Sequence, residues 1–337
     1  MRIPTRVPVM ADVARLAGVS HQTVSRVLNG HPSVAPGTRR DVETAITQLG
    51  YRRNTAARAL VTKQSRTLGV VSVDTSHYGP ASTLFSIEAA ARQAGYFVNF
   101  ASVRYVDRAN MRAAVDHLMS ANVDGLIAIA PITAAVEALH GLRTDVPLVR
   151  VAGADSSAAD DVVVVDQAAG AGLATSHLLG LGHETVVHVR GPEQWLEADA
   201  RVRGWFDVLV RRRVRAPEVL AGDWSPASGY EAGKTLARQP DVSAVFVAND
   251  QMALGLIRGL HEGGRAVPDD VSVVGFDDIP EAGYFQPPLT TIRQDFTEVG
   301  RRCIEQVMAL IAGKTNPPSA PSEPTLVVRA STAPPPD

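Results

Sequence analysis

Several features are scarce in this 337-residue chain, and each shortage removes a class of protein. One cysteine, Cys303, rules out a disulfide framework and a cysteine-based metal cluster. It sits in a helix-like run, where a buried thiol is the plain reading. No apolar run approaches the ~18–20 residues that span a bilayer. The opening "MRIPTRVPVMADVA" has neither the apolar core nor the cleavage pattern of a signal peptide. The expectation is a cytoplasmic protein with no membrane partner. There is no P-loop, no HExxH and no metal-ligand cluster, so neither metal nor cofactor is expected. Asp277, Asp278 and His188 invite a catalytic reading, but no nucleophile–base–orienter set accompanies them. "DQAAGAGLA", residues 166–174, imitates a nucleotide loop yet lacks the third spaced glycine.

Charge is present and unevenly placed. Residues 1–66 carry eleven Arg and Lys against Asp12, Asp41 and Glu43, a balance of +8. The remainder carries 22 basic and 32 acidic residues, a balance of −10. A basic head on an acidic body points the head at a polyanion. A solvated basic tail is the alternative, but a tail would not also show helical periodicity.

The head shows three short helical patterns. "MADVARLAG" places Val13, Leu16 and Ala17 on one side and stops at Gly18. "TRRDVETAITQLG" runs from Thr38, a candidate cap, to Gly50, with Val42, Ala45, Ile46 and Leu49 inward. Between them lies "GVSHQTVSRVLNG", with Val24, Val27 and Leu28 on one stripe. Its other positions are Ser20, His21, Gln22, Thr23, Ser25, Arg26 and Asn29, side chains rich in hydrogen-bonding groups. Ser20 is placed to cap the helix. Gln bonds adenine and Arg bonds guanine in bidentate fashion in the major groove. His21, Gln22 and Arg26 share one side of the first turns, as a helix presented end-on to the groove requires. This is a helix–turn–helix with a bracing third helix.

After "YRRNTAARALVTKQSRT" the texture changes. Strand-like runs ("LGVVSVD", "YFVNFAS", "GLIAIA", "VPLVRV", "VVVVD", "TVVHVRG", "AVFVAND", "VSVVGFD") alternate with amphipathic helices such as "LFSIEAAARQAG", "MRAAVDHLMS" and "VGRRCIEQVMALIAG". That alternation predicts parallel sheets covered on both faces. There are too many units for one small sheet, so two doubly wound α/β lobes are expected. Ligands in such folds sit at the carboxyl ends of strands.

"MADVARLAGVSHQTVSRVLNG" followed by "YRRNTAARAL" resembles the DNA-binding head and hinge of the lactose-repressor family, the LacI-type regulators. "GDWSPASGY", "VANDQMALG", "VVGFDD" and "PPLTTIRQDF" extend the resemblance from about Val9 to Arg329. The resemblance implies a homodimeric repressor of a palindromic double-stranded DNA operator. Its periplasmic-binding-protein-like core would sense a small-molecule effector, commonly a mono- or disaccharide. The implied organisation is a head at 8–53, a hinge helix and linker at 54–66, and a core at 67–331. One lobe would take about 67–165 and 296–322, the other about 166–292 and 323–331, and 332–337 would form a disordered tail. No heptad run follows, which favours a dimer over a tetramer.

Carried over by position, His21 and Gln22 match the family's base-reading pair and Arg26 its second reading position. Ser20, Thr23, Ser25, Asn29, Val34 and Thr38 match phosphate-contacting or supporting positions. Asn54, Ala57 and Leu60 match the hinge helix that folds in the minor groove, with Leu60 as the wedge. Arg53 stands where many relatives have proline. In the core, Arg201 matches the ligand-binding arginine, whose fork suits two hydroxyls. Trp224 matches a residue placed to stack on a sugar ring. Asn249 and Asp277 end strands, and Gln294 and Phe296 match wall positions in the crossover between lobes. His77, Gly79, Pro80 and Thr83 take the positions of an apolar patch, made more polar here by His77 and Thr83. Taken singly, each of these also has a structural reading: a core Trp, a capping Asp, a surface Arg. An aspartate expected after "VPLVRV" is absent or displaced to Asp155, and Glu197 and Trp195 depart from close relatives. A sugar inducer fits this wall, and a corepressor remains the alternative within the family. A sugar-acting enzyme is the distant one. A transport binding protein would carry a signal peptide and no helix–turn–helix.

Overall fold

The computed structural model describes residues 8–52, 64–151, 162–314 and 320–336. They fall into two compact units, 1–65 and 66–337.

The first unit holds three helices: α1 (Met10–Leu16), α2 (His21–Leu28) and α3 (Pro36–Leu49). Ser20 caps α2, its Oγ accepting from Thr23 N at 3.1 Å. Gly50 closes α3 at φ 61°, a conformation that favours glycine. Val13, Ala14, Val24, Val27, Val42, Ala45 and Tyr51 form the core. Two details differ from expectation. Thr38 is not the cap of α3, because the helix starts earlier, at Pro36. Proline suits that first turn, where its missing N–H has no bond to lose. Leu16 is half exposed, at 50%, because Val13 and Ala14 take the inward positions of the short α1.

The second unit holds two sheets. The first contains β1 (Thr67–Val73), β2 (Phe97–Val103), β3 (Gly125–Ile129), β4 (Leu148–Val151) and β5 (Val162–Val163), in the order β2-β1-β3-β4-β5 and wholly parallel. Helices α4 (Tyr78–Gln93), α5 (Arg108–Ser120) and α6 (Thr133–Leu139) connect them. The second sheet contains β6 (Val187–Arg190), β7 (Leu220–Ala221), β8 (Ala244–Val247), β9 (Ser272–Asp277), β10 (Thr290–Arg293) and β11 (Thr325–Val327). Its order is β11-β10-β9-β8-β6-β7, parallel except for β11. Helices α7 (Gln167–Gly180), α8 (Leu196–Arg212), α9 (Pro226–Ala237) and α10 (Asp250–Glu262) belong to this lobe.

After β10 the chain returns to the first lobe as α11 (Phe296–Ile311). Its Val299, Cys303, Ile304 and Val307 pack with Leu68, Val70 and Ile127. Cys303 is buried there, and burial pushes its thiol up to about 12. This return sets the strand ends of both lobes around one cleft.

The sequence pattern missed β7, β10, α6 and α9. The strands are two and four residues long, too short to show a period. α9 carries Gly229 and Gly233, which weaken the helix signal but let α9 lie directly on α10. The expectation that strands are covered on both faces fails at the edge strand β2, where Phe97 and Phe100 are exposed. The expected disordered tail is corrected as well. Thr332 is 3.0 Å from His177 Nε2, and Ala333 bonds His183 and Ser272 at 2.9–3.0 Å. Residues 332–333 are thus tied to the second lobe, because polar groups on that lobe take the Thr332 hydroxyl and the Ala333 backbone as partners.

Candidate functional site

Two surfaces gather the residues singled out in the sequence. On α2, burying Val24 and Val27 turns the opposite side outward, and His21, Gln22, Arg26 and Asn29 are exposed. Thr23 and Ser25 are half-buried beside them. Ser20 Oγ and Thr23 Oγ1 lie 2.9 Å apart, and Asn29 Nδ2 donates to Ser25 Oγ at 3.4 Å. Among the described residues, none is hydrogen-bonded to the side chains of His21, Gln22 or Arg26, so their donors and acceptors face solvent. Val34 packs against the head's core, a supporting role. Thr38 lies half-buried in the first turn of α3. Asn54, Ala57 and Leu60, with Arg53, lie outside the described residues, as does Asp155.

The second surface is the interlobe cleft. A ring of side chains closes at its base. Arg201 Nε donates to Gln167 Oε1 at 2.9 Å, and Gln167 Nε2 donates to Gln294 Oε1 at 2.8 Å. Gln294 Nε2 then donates to Asp277 Oδ1 at 2.7 Å, and Asp277 Oδ1 stands 3.6 Å from Arg201 Nη2. Arg201 also donates to the Ala248 carbonyl, and its guanidinium lies 3.8 Å from the centre of the Phe276 ring. All four ring members are buried. Gln167 was not anticipated. It follows the strand run "VVVVD" inside the stretch that mimicked a nucleotide loop, and a strand end followed by a helix start was the only signal.

Backbone geometry aims these groups. Asp277 ends β9 at φ 110° and Asp278 follows at φ 54°, both strained for a residue with a Cβ. The turn is held from behind. Asp278 accepts from Arg293 and Arg329, each at 2.6 Å. Buried Asp250 accepts from Ile279 N at 2.8 Å and Thr291 Oγ1 at 2.6 Å. Burial raises the Asp250 carboxyl well above the usual range, with the Asp277 charge adding to it. Burial also pushes Asp277 up to about 6, opposed by Arg201 and the Gln294 bond. Glu197 rises to about 7 for the same first reason, opposed by Arg201.

The structure brings Gly79, Thr83, Glu197, Arg201, Gln294 and Phe296 around one cavity of about 30 Å³, with Val151, Val165, Gln167 and Val299. Thr83 spends its hydroxyl on the Gly79 carbonyl at 2.9 Å, so it is less polar toward the cleft than its type suggests. Pro80 is buried within α4. Asn249 caps α10, accepting from Met252 N at 2.9 Å, and donates to the Trp224 carbonyl at 3.1 Å. Trp224 is itself buried, at φ 71°, so its structural role is realised in this closed cleft. His77 Nε2 lies 3.2 Å from Asp74 Oδ2 and the ring meets Trp195 edge-to-face at 5.2 Å. Among the described residues no cluster of His, Cys, Asp and Glu has the arrangement to hold a metal, and no helix is long and apolar enough to cross a membrane.

Residues 9–54 match the model of bacterial regulatory proteins of the lacI family, and residues 175–332 match that of a periplasmic binding protein-like domain. The chain is 35% identical to the lactose operon repressor of Escherichia coli (strain K12) over 308 residues, 90% of this chain and 84% of that one. The chain belongs to the lacI family. Among solved structures, the lac repressor dimer bound to operator and the anti-inducer ONPF superposes with a TM-score of 0.84 at 32% identity, covering 97% of this chain and all of that one. A complex of the regulator CelR with cellobiose superposes with a TM-score of 0.71 at 30% identity, covering 96% and 99%. These lacI-family relatives are named repressors and transcriptional regulators.

Proposed function

We propose that this lacI-family chain is a homodimeric, sequence-specific repressor whose hold on a palindromic operator is released by a sugar bound in the interlobe cleft. The observation that carries the reading is the outward face of α2. His21, Gln22 and Arg26 stand in solvent on a unit with a net charge of +7, while Val24 and Val27 of the same helix are buried inside. Such a face reads base edges, and the surrounding Ser20, Thr23, Ser25 and Asn29 suit phosphates. Asn54, Ala57 and Leu60 take the hinge role by position.

Arg201, Asp277, Gln294, Glu197 and Asn249 supply hydrogen-bonding groups to a polyol, with Trp224, Phe296, Gly79 and Pro80 as its apolar walls and His77 and Thr83 at the rim. The binding of cellobiose by a relative and the operator-bound state of another support this class of effector and partner. Exposed Phe85, Phe97 and Phe100 on the first lobe, with Leu254 and Tyr284 on the second, support pairing of two copies. The effector acts through its different affinities for two lobe arrangements, since a ligand that binds both equally shifts nothing.

The test is a titration of full-length protein against a labelled palindrome recovered by selection from random duplexes, read by fluorescence anisotropy. Binding is expected to weaken steeply with salt and to be reversed by at least one sugar among cellobiose, lactose, glucose and galactose. Selection that recovers no twofold sequence overturns the repressor reading. Release by none of a broad saccharide set overturns the sugar.

A further inference from the structure

Trp195 was outside the carried-over set, yet it sits at the junction of the cleft. Its ring meets His77 of the first lobe at 5.2 Å and Trp224 of the second at 5.5 Å, both edge-to-face at 79°. Its backbone fastens the lobes too. Thr133 N donates to Gln194 O at 3.1 Å and Leu196 N donates to Pro131 O at 3.0 Å, an antiparallel bridge pairing Ile132 with Trp195. Trp195 is buried by these contacts.

Trp224 is left with an unfinished account. Its benzo edge fills the space over Gly191, where a Cβ would lie 2.2 Å from Cη2, and Arg201 stands 5.5 Å from its ring centre. Yet its indole N–H is buried with no acceptor among the described residues. A buried donor without a partner is costly, and native proteins rarely leave one. The cleft's cavity, lined by Arg201, Glu197, Gln167 and Phe296 and about 30 Å³ in volume, is too small for a sugar ring. An aromatic side chain therefore covers Trp224 in a cleft too small for the expected ligand, and the Trp224 donor gains nothing from it.

We propose that Trp195 is the plug of the effector cleft and its specificity-determining residue: its indole fills the place beside Trp224 that the ring of a sugar effector takes, and the effector binds by displacing it. The inference rests on the saccharide reading of the cleft. The incoming ring offers an apolar face to Trp224 and a hydroxyl oxygen to Trp224 Nε1, which Trp195 does not. Displacement parts the strand segments at 131–133 and 194–196, so ligand entry and lobe opening are one event. A saccharide with no apolar ring face to exchange for the indole leaves the plug in place.

The test uses full-length protein and its Trp195→Ala and Trp195→Phe variants, titrated calorimetrically with cellobiose, lactose, glucose and galactose. Removing the plug removes a competing closed state, so Trp195→Ala is expected to bind the accepted sugar about tenfold more tightly than the parent, with Trp195→Phe between them. Acrylamide quenching gives a second reading. The sugar makes parent fluorescence more accessible as Trp195 is released. In Trp195→Ala, where only Trp205 and Trp224 emit, it makes fluorescence less accessible as Trp224 is covered. Unchanged or weaker binding by Trp195→Ala overturns the plug while leaving the sugar reading intact. Should Trp195→Ala lose its cooperative melting, Trp195→Phe decides, and affinity equal to or below the parent's overturns the plug. Binding of none of the sugars by the parent or either variant overturns the saccharide reading, and the plug with it.

Discussion

In the head, the side chains offered to a partner stand in water and make few bonds to their own protein. In the cleft, the corresponding side chains are buried and already bonded to one another. His21, Gln22 and Arg26 are exposed, whereas Arg201, Gln167, Gln294 and Asp277 form a closed buried ring. The difference follows from the partners. A DNA groove is rigid and comes to a preformed surface, so its readers cost the head nothing when empty. A small polyol must be enclosed, so its readers line a pocket that has to be satisfied in the ligand's absence. A substitution on α2 should therefore touch binding alone, while one in the cleft touches stability and binding together.

The largest test of that contrast is Arg201→Ala. It removes the bonds to Gln167 and to the Ala248 carbonyl and leaves the buried Asp277 without its cation. Breaking a buried pair costs about 3–5 kcal/mol. At roughly 2–4 °C per kcal/mol for a unit of this size, melting should fall by roughly 10 °C. Effector response should be lost as well. Scanning calorimetry with and without sugar measures both. A variant that melts with the parent would show that the ring carries no stability.

Arg26→Ala is the counterpart. The Arg26 side chain has no partner within its unit among the described residues, so melting should stay within about 0.5 kcal/mol of the parent. Operator binding should weaken by about 1–3 kcal/mol, with relaxed preference at one position of each half-site. Anisotropy on a set of single-base operator variants separates this from a phosphate role, which would weaken all sequences alike.

The same contrast governs what was legible in the sequence. The face of α2 could be read because exposed polar residues on a short helix have no structural use, and spacing alone places Val24 and Val27 behind them. The lobes could be read because each long strand–helix unit shows its period. The cleft was harder. Arg201, Asp277 and Gln294 entered by resemblance, and their mutual bonds depend on three separate elements meeting. Gln167 could not be singled out, and Trp195 showed only as a departure from close relatives, because a Gln at a helix start and a Trp before a helix look like ordinary packing until β6, α7 and the 131–133 segment converge on them. Leu16 was misplaced for the opposite reason: a leucine on a two-turn helix looks inward, but Val13 and Ala14 had already filled the small core.

A smaller effect concerns Glu197. Burial raises its carboxyl from about 4.5 to about 7 in the folded protein. Below the lower value the folded and unfolded chains both hold the proton. Between the two values only the folded chain does, so the folded state loses stability as pH rises through that window, and the loss is complete above it. Glu197→Gln keeps the neutral form at every pH. Its stability, read from melting at each pH, should therefore gain on the parent's between pH 5 and pH 8 by on the order of 1 kcal/mol. A constant gap across that range would mean that Glu197 ionises freely and is not enclosed with Arg201 and Asp277.

The smallest effect, at Gly37 of the head, is best read against a glycine of the closely packed core. Gly37 lies in the first turn of α3 at an ordinary negative φ, and a Cβ there would meet nothing within 4 Å. Gly255 lies in α10, where a Cβ would fall 1.8 Å from the Pro226 carbonyl oxygen of α9. Gly255→Ala must therefore push two helix backbones apart, an overpacking cost of about 1–3 kcal/mol. Gly37→Ala displaces nothing and only narrows the unfolded chain's choices, a gain of about 0.4–1 kcal/mol. The two signs should be read separately, because the units need not melt together. Amide exchange resolves them: amides of α3 should slow by about two- to fivefold in Gly37→Ala, and those of α9 and α10 should quicken in Gly255→Ala. If Gly37→Ala instead speeds exchange in α3, the first turn of that helix is held by contacts that a methyl disturbs, and the head is less open there than its exposed surface indicates.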